Sequence, residues 1–145
     1  MLKEYLESNL VFKNIECKSF KDVLAIISNK LVELDFASKE FEKALLIREK
    51  DYPTGLQLEG YAAAIPHGGA EFVKKDFISV VTLKNPIVMN RMDNPEETLT
   101  VDTLFILGFG SSDLHLTALR QLMGIIQNKE TMEQIKMGKE LQTLI

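Results

Sequence analysis

The run Phe77-Ile78-Ser79-Val80-Val81-Thr82-Leu83 is short, rich in β-branched residues and almost continuously apolar. A strand with one wet face alternates apolar and polar side chains, whereas a nearly unbroken apolar run belongs to a buried strand. Val101–Phe109 (VDTLFILGF) has the same character and reads as a second buried strand. Between them, Lys84-Asn85-Pro86 reads as a turn, Ile87–Met89 as a short strand and Asn90–Glu97 as a polar loop containing Pro95. Upstream, Leu10–Ile15 predicts one further short strand.

Helical patterns flank these runs. Ser19 is a good N-cap with Asp22 as its capping-box partner, and Phe20, Val23, Leu24, Ile27, Leu31 and Leu34 follow at helical spacing. A second helix is expected from after Ser38 to about Lys50, with Phe41, Ala44 and Leu45 on its apolar stripe. Asp51-Tyr52-Pro53-Thr54-Gly55 ends it. Ser111, Ser112 and Asp113 offer caps for a third helix, Leu114 to about Gln127, and Glu130–Met137 predicts a fourth. Helices on either side of buried strands make a layered α/β domain, here expected to span residues 1–145 as one unit with a mixed sheet.

The bulk numbers agree with a globular chain. Of 145 residues, 46% are hydrophobic and 26% charged, and the formal net charge is −4. An acidic balance argues against a nucleic-acid binder. The lone Cys17 rules out an internal disulfide and fits a reducing, cytoplasmic setting. The opening MLKEYLESNL carries charges every few residues, unlike a signal peptide, and no apolar run is long enough to span a membrane.

Three residues stand out chemically. His67 lies in Ala64-Ile65-Pro66-His67-Gly68-Gly69, where a proline stiffens one side and two glycines remove bulk from the other. An imidazole held this way, with open space beside it, suits nucleophilic chemistry, though it could instead cap a turn. His115, the only other histidine, falls in the first turn of the third helix on its apolar stripe. There a neutral ring could donate to an anion at the helix N-terminus, or simply be a satisfied core histidine. Arg48 is placed on the buried side of its helix by its spacing from Phe41 and Leu45. It could neutralise a phosphoryl group, or snorkel from the helix end.

Other chemistries find little support. A Gly-x-x-x-x-Gly-Lys-Ser/Thr loop, a Gly-x-Ser-x-Gly elbow and a metal-ligand spacing are all missing from the sequence. Gly108-Phe109-Gly110-Ser111-Ser112-Asp113 superficially suggests a dinucleotide fingerprint, but the third glycine is lacking and too little chain follows.

Taken together, Arg48-Glu49-Lys50, Pro53-Thr54-Gly55-Leu56, Ile65-Pro66-His67-Gly68 and Asp113-Leu114-His115 resemble the enzyme IIA domains of the bacterial phosphotransferase system. The branch is that of the mannitol, fructose and nitrogen-regulatory enzymes IIA, and the Tyr52–Leu56 stretch looks most like the galactitol type. The resemblance covers nearly the whole chain and implies a mixed sheet flanked by helices. It implies a phosphohistidine at His67, filled by the phosphocarrier HPr and emptied onto a cysteine of enzyme IIB, with no metal or other cofactor. His115 and Arg48 take the positions of phosphate-site residues. A cysteine loop of the IIB kind is not found around Cys17, so the IIB and membrane IIC partners are expected on other chains.

In the mechanism this suggests, neutral His67 attacks the donor phosphorus in line. Arg48, His115 and backbone N–H groups of Thr54 and Gly55 would neutralise the oxygens, and Tyr61, Ile65 and Phe72 would form the docking surface. The alternatives are a nitrogen-type regulatory IIA acting by protein binding and, more remotely, a nucleotide-binding protein using Gly108–Asp113.

Overall fold

In a computed structural model, which describes residues 2–145, both apolar runs lie side by side within one five-stranded mixed sheet of order β1-β4-β5-β3-β2. The strands are β1 (Leu6–Ile15), β2 (Gly55–Gln57), β3 (Ala62–Ala64), β4 (Phe77–Asn90) and β5 (Thr98–Gly108). β4 and β5 pair antiparallel, from Phe77 opposite Gly108 to Asn90 opposite Thr98. The expected turn at Lys84-Asn85-Pro86 does not reverse the chain. β4 runs through it as one strand with an irregularity between Thr82 and Ile87, which accommodates a proline that cannot donate to a regular ladder. β1 begins four residues earlier than its apolar core suggested and lies parallel to β4.

The helices cover both faces. α1 (Phe20–Glu33) and α2 (Glu40–Asp51) pack on one, α3 (Ser112–Ile126) and α4 (Lys129–Lys136) on the other. Alternation along the strands divides the core. Val81, Leu104 and Ile106 meet Leu24, Ile27, Leu31, Phe41 and Leu45. Ile78, Val80, Phe105 and Leu107 meet Ala118, Leu122, Ile126 and Ile135. Each fully buried side chain of this size stabilises the fold by about 1.5–3 kcal/mol relative to exposure. Ser79, buried in the middle of β4, donates its hydroxyl to the Leu10 carbonyl at 2.7 Å, so the polar group crosses the sheet satisfied.

The caps follow the sequence with small shifts. Ser19 accepts the Asp22 N–H at 3.3 Å, while the Asp22 carboxylate accepts from Lys18 rather than from Ser19. Ser111 takes the N-cap position of α3 without a side-chain bond, and Asn128 caps α4 by accepting the Thr131 N–H at 3.0 Å. Among the described residues no helix is long and apolar enough to cross a membrane.

Strand direction explains what the fold gathers at one end of the sheet. β3 and β5 are parallel, so their C-terminal ends share an edge. The chain leaving β3 reaches His67, and the chain leaving β5 enters α3 and reaches His115. β2 is antiparallel to β3, so the chain enters β2 at that same edge, directly from the end of α2 that bears Arg48. Open α/β sheets form their clefts beyond the carboxyl ends of parallel strands, as here.

The β2–β3 edge is built from a small-residue, glycine-punctuated stretch, GLQLEGYAAA over residues 55–64. Its tightest point is Gly55, which bridges to Arg91 and accepts the Met92 N–H at 2.8 Å. A Cβ there would lie 2.5 Å from the Asn90 carbonyl oxygen. Gly55→Ala is expected to lower unfolding free energy by about 1–3 kcal/mol through overpacking, measurable by denaturant titration.

Candidate active site

His67 is held by backbone on both sides. The Pro66 carbonyl accepts the Leu107 N–H at 3.0 Å, tying the loop to β5 just before the histidine. The imidazole Nδ1 lies 2.6 Å from the Ile65 carbonyl oxygen. A carbonyl only accepts, so Nδ1 carries the proton and the lone pair of the neutral ring is on Nε2. The glycines that follow do not leave empty space. A Cβ on Gly68 (φ +146°) would lie 2.8 Å from Arg48 Cγ, and one on Gly69 (φ +62°) would lie 3.1 Å from the Phe41 ring. Glycine is required because α2 presses directly on this loop.

The second histidine comes to the first. The His67 and His115 ring centroids are 4.7 Å apart, edge to face at 75°. The His115 ring lies nearly parallel to the Phe109 ring, at 6.2 Å. Its Nε2 is buried and has no hydrogen-bond partner. A buried polar atom without a partner is costly, so this nitrogen stands out beside the His67 ring.

Arg48 is exposed, not on the buried side of α2. Glu49 continues the Phe41 and Leu45 stripe instead, at 9% exposure. Spacings of three and seven residues suit a helix face as well as four and eight do, and packing selects the second set. The Arg48 stem lies along Gly68, and its guanidinium sits 4.2 Å from the centroid of the Tyr52 ring. Arg48, Tyr52, His67, Gly68 and His115 line one open cleft of about 420 Å³. A neighbouring cleft of about 190 Å³, lined in part by Tyr52, Thr54, Met92 and Pro95, shares His67.

Electrostatics keep the imidazoles neutral. Burial lowers the His67 pKa below its ordinary value, the Arg48 charge lowers it further, and the bond to Ile65 partly opposes both. Burial also lowers His115, with the His67 and Arg48 charges adding to it. Glu49 goes the other way: burial pushes its carboxyl up to about 7, against two stabilising bonds from Thr54.

Two expectations are corrected here. The Thr54 N–H is not directed to the cleft, because it donates to Glu49 Oε2 at 2.8 Å while the Thr54 hydroxyl donates to Oε1 at 2.6 Å. Gly55 is buried in β2 and packed against Asn90, while Thr54 lines the smaller cleft. The apolar surface also differs. Ile65 is buried, the Tyr61 hydroxyl donates to the Ile126 carbonyl, and Phe72 packs on the core. Ile47, Tyr52 and Met92 are exposed apolar groups that line the clefts, and Leu116, the residue after His115, is exposed as well. Tyr52 was missed although an aromatic four residues after an arginine at a helix end is a readable stacking signal. Among the described residues no group of three His, Cys, Asp or Glu is placed to hold a metal ion.

The family model described as phosphoenolpyruvate-dependent sugar phosphotransferase system, EIIA 2, matches residues 4–145. The galactitol-specific EIIA component of Escherichia coli (strain K12) is 29% identical over 112 residues, which cover 77% of this chain and 74% of that one. The nitrogen regulatory protein IIA-Ntr of Neisseria meningitidis superposes with a TM-score of 0.78 at 25% identity, over 98% of this chain and 94% of that one. Enzyme IIAMTL in its complex with phosphorylated enzyme IIBMTL from Escherichia coli shares the fold, with a TM-score of 0.74 at 16% identity over 96% and 95%.

The titrations have opposite signs. The histidine pKa values lie below 6.5 in the folded state, so their stabilisation is present above that pH and is lost as pH falls through the folded values. Glu49 stabilises below its ordinary 4.5, and that contribution is lost as pH rises through about 7. Imidazole 15N titration is expected to place both histidines below 6.5, and Glu49→Gln to flatten the fall in denaturant midpoint as pH rises from 4.5 through about 7.

Proposed function

Since the chain belongs to the EIIA 2 family of the phosphoenolpyruvate-dependent sugar phosphotransferase system, we propose that it is a phosphocarrier that accepts a phosphoryl group on His67 Nε2 and passes it on. The observation that carries this reading is the 2.6 Å contact from His67 Nδ1 to the Ile65 carbonyl, in a cleft shared with Arg48 and His115. It leaves the lone pair on the ring nitrogen that is not engaged by Ile65.

The donor is a phosphohistidine on the small carrier HPr. Nε2 attacks phosphorus in line, the new N–P bond forms as the donor's N–P bond breaks, and Nδ1 keeps its proton throughout. The Ile65 carbonyl stabilises the positive charge that develops on the ring. Arg48 and the buried Nε2 of His115 meet the equatorial oxygens, so the charge is balanced by preorganised groups. Arg48 is exposed and Nε2 of His115 is already desolvated, a combination that supports transfer without burying the product too firmly.

The acceptor is the cysteine of an enzyme IIB, a partner supported by the complex formed by the IIAMTL of like fold. Ile47, Tyr52, Met92 and Leu116, each more than 40% exposed, form the docking surface around the cleft. The protein thereby serves uptake of a sugar or sugar alcohol through a separate membrane IIC, and the galactitol-specific relative supports a polyol. A nitrogen-type regulatory role is the second reading, favoured by the end-to-end likeness to IIA-Ntr.

Labelled phospho-HPr, with the product held at alkaline pH, tests the site. His67→Gln is expected to take no label. Arg48→Ala is expected to slow transfer by about 10²-fold with its melting temperature nearly unchanged. The 31P–15N pattern of the product should assign the phosphate to Nε2; full-rate labelling of His67→Gln would refute the assignment.

A further inference from the structure

Glu49 is a buried acid that the mechanism above does not use. It sits one residue after Arg48, in the last turn of α2, and lines a pocket with Phe20, Leu46, Lys50, Val88, Met89 and Asn90. Lys50 is the charged residue among these neighbours. Both carboxyl oxygens are engaged by one residue: Oε2 accepts the Thr54 N–H at 2.8 Å and Oε1 accepts the Thr54 hydroxyl at 2.6 Å. A two-point bond between buried groups fixes direction as well as distance.

The bond closes the short connection Tyr52–Pro53 against the end of its own helix. Two consequences lead to the site. Within the loop, Tyr52 donates its N–H to the Arg48 carbonyl at 2.8 Å and places its ring under the Arg48 guanidinium. Beyond the loop, the Thr54 carbonyl accepts the Ile65 N–H at 3.3 Å, and the carbonyl of that same Ile65 accepts the proton of His67 Nδ1. Glu49 is thus connected to the nucleophile through two backbone steps, and to the arginine through one aromatic ring.

We infer that Glu49 is a positioning residue: by gripping Thr54 it sets the tautomer and aim of His67 and holds Arg48 over the same cleft. This rests on the phosphocarrier reading of His67, but the geometry it asserts is measurable without any transfer. Burying a carboxylate costs stability, so a residue retained only for packing would be better as leucine or methionine. Glutamine can replace it in shape and bonding, its carbonyl accepting the Thr54 N–H and its amide donating to the Thr54 hydroxyl oxygen. Alanine cannot.

The test compares wild type, Glu49→Ala and Glu49→Gln in single-turnover transfer from phospho-HPr, alongside imidazole 15N shifts and melting curves. Glu49→Ala is expected to lower the maximal rate by on the order of tenfold with half-saturation little changed, because aim is lost and docking is kept. Its His67 15N shifts should move toward a mixed tautomer, and Glu49→Gln should restore both. If Glu49→Ala melts lower yet matches the wild-type rate and shifts at a temperature where it is folded, the side chain is structural only and the inference is overturned. Should Glu49→Ala fail to fold, Thr54→Val removes the hydroxyl bond at nearly constant volume. A shift of the His67 signals in that variant supports the inference, and unchanged signals overturn it. A wild-type protein that takes no phosphoryl group would refute the carrier reading, while the 15N comparison would still decide whether Glu49 positions the ring.

Discussion

One hydrogen bond, from His67 Nδ1 to the carbonyl of Ile65 at 2.6 Å, sets the tautomer and direction of the imidazole around which the rest of the cleft is arranged. An imidazole free in solution exchanges its proton between two nitrogens and rotates about its side chain. Here an acceptor that can never donate removes both freedoms at once, and the depressed basicity of the buried ring keeps it neutral near pH 7. The bond is short in sequence, only two residues, yet it depends on long-range structure. Ile65 is in place because its N–H meets Thr54 at the edge of β2, and Pro66 because its carbonyl meets Leu107 in β5.

The rest of the site is a product of strand direction. With β3 parallel to β5 and antiparallel to β2, three stretches far apart in the chain converge on one edge. None of the converging residues needs a long or strained loop to arrive. Among the described residues beside His67, Gly68 and Gly69 adopt positive φ, and both are explained by α2 lying against them. The helix that supplies the arginine is therefore also the one that confines the histidine loop.

Much of this was readable beforehand. The near-continuous runs at Phe77–Leu83 and Val101–Phe109 announced a sheet covered on both faces, and that is how β4 and β5 lie. His67 and His115 were singled out, and the structure brings their rings into contact. What failed had physical causes. Arg48 and Glu49 are adjacent, and helical spacing alone could not say which faced inward; the protein buries the acid because Thr54 can satisfy it. The β2–β3 edge was not read as strand because Ala62–Ala64 carries no β-propensity of its own and borrows its form from β5. Thr54 was expected to serve the ligand, but nothing local in the sequence reveals that its donors are committed to a carboxylate five residues earlier.

The division of the core by the sheet has a consequence for quality control. Arg48 is delivered by the layer built on Phe41 and Leu45, and His115 by the layer built on Leu122 and Ile126. His67 stands two residues beyond Ile65, and Ala64 and Ile65 are neighbours that belong to opposite layers. The surroundings of the imidazole thus require both halves to be assembled together. A chain with either side loosened would present a histidine with half its surroundings missing, so the environment of this one ring reports on the integrity of the entire fold.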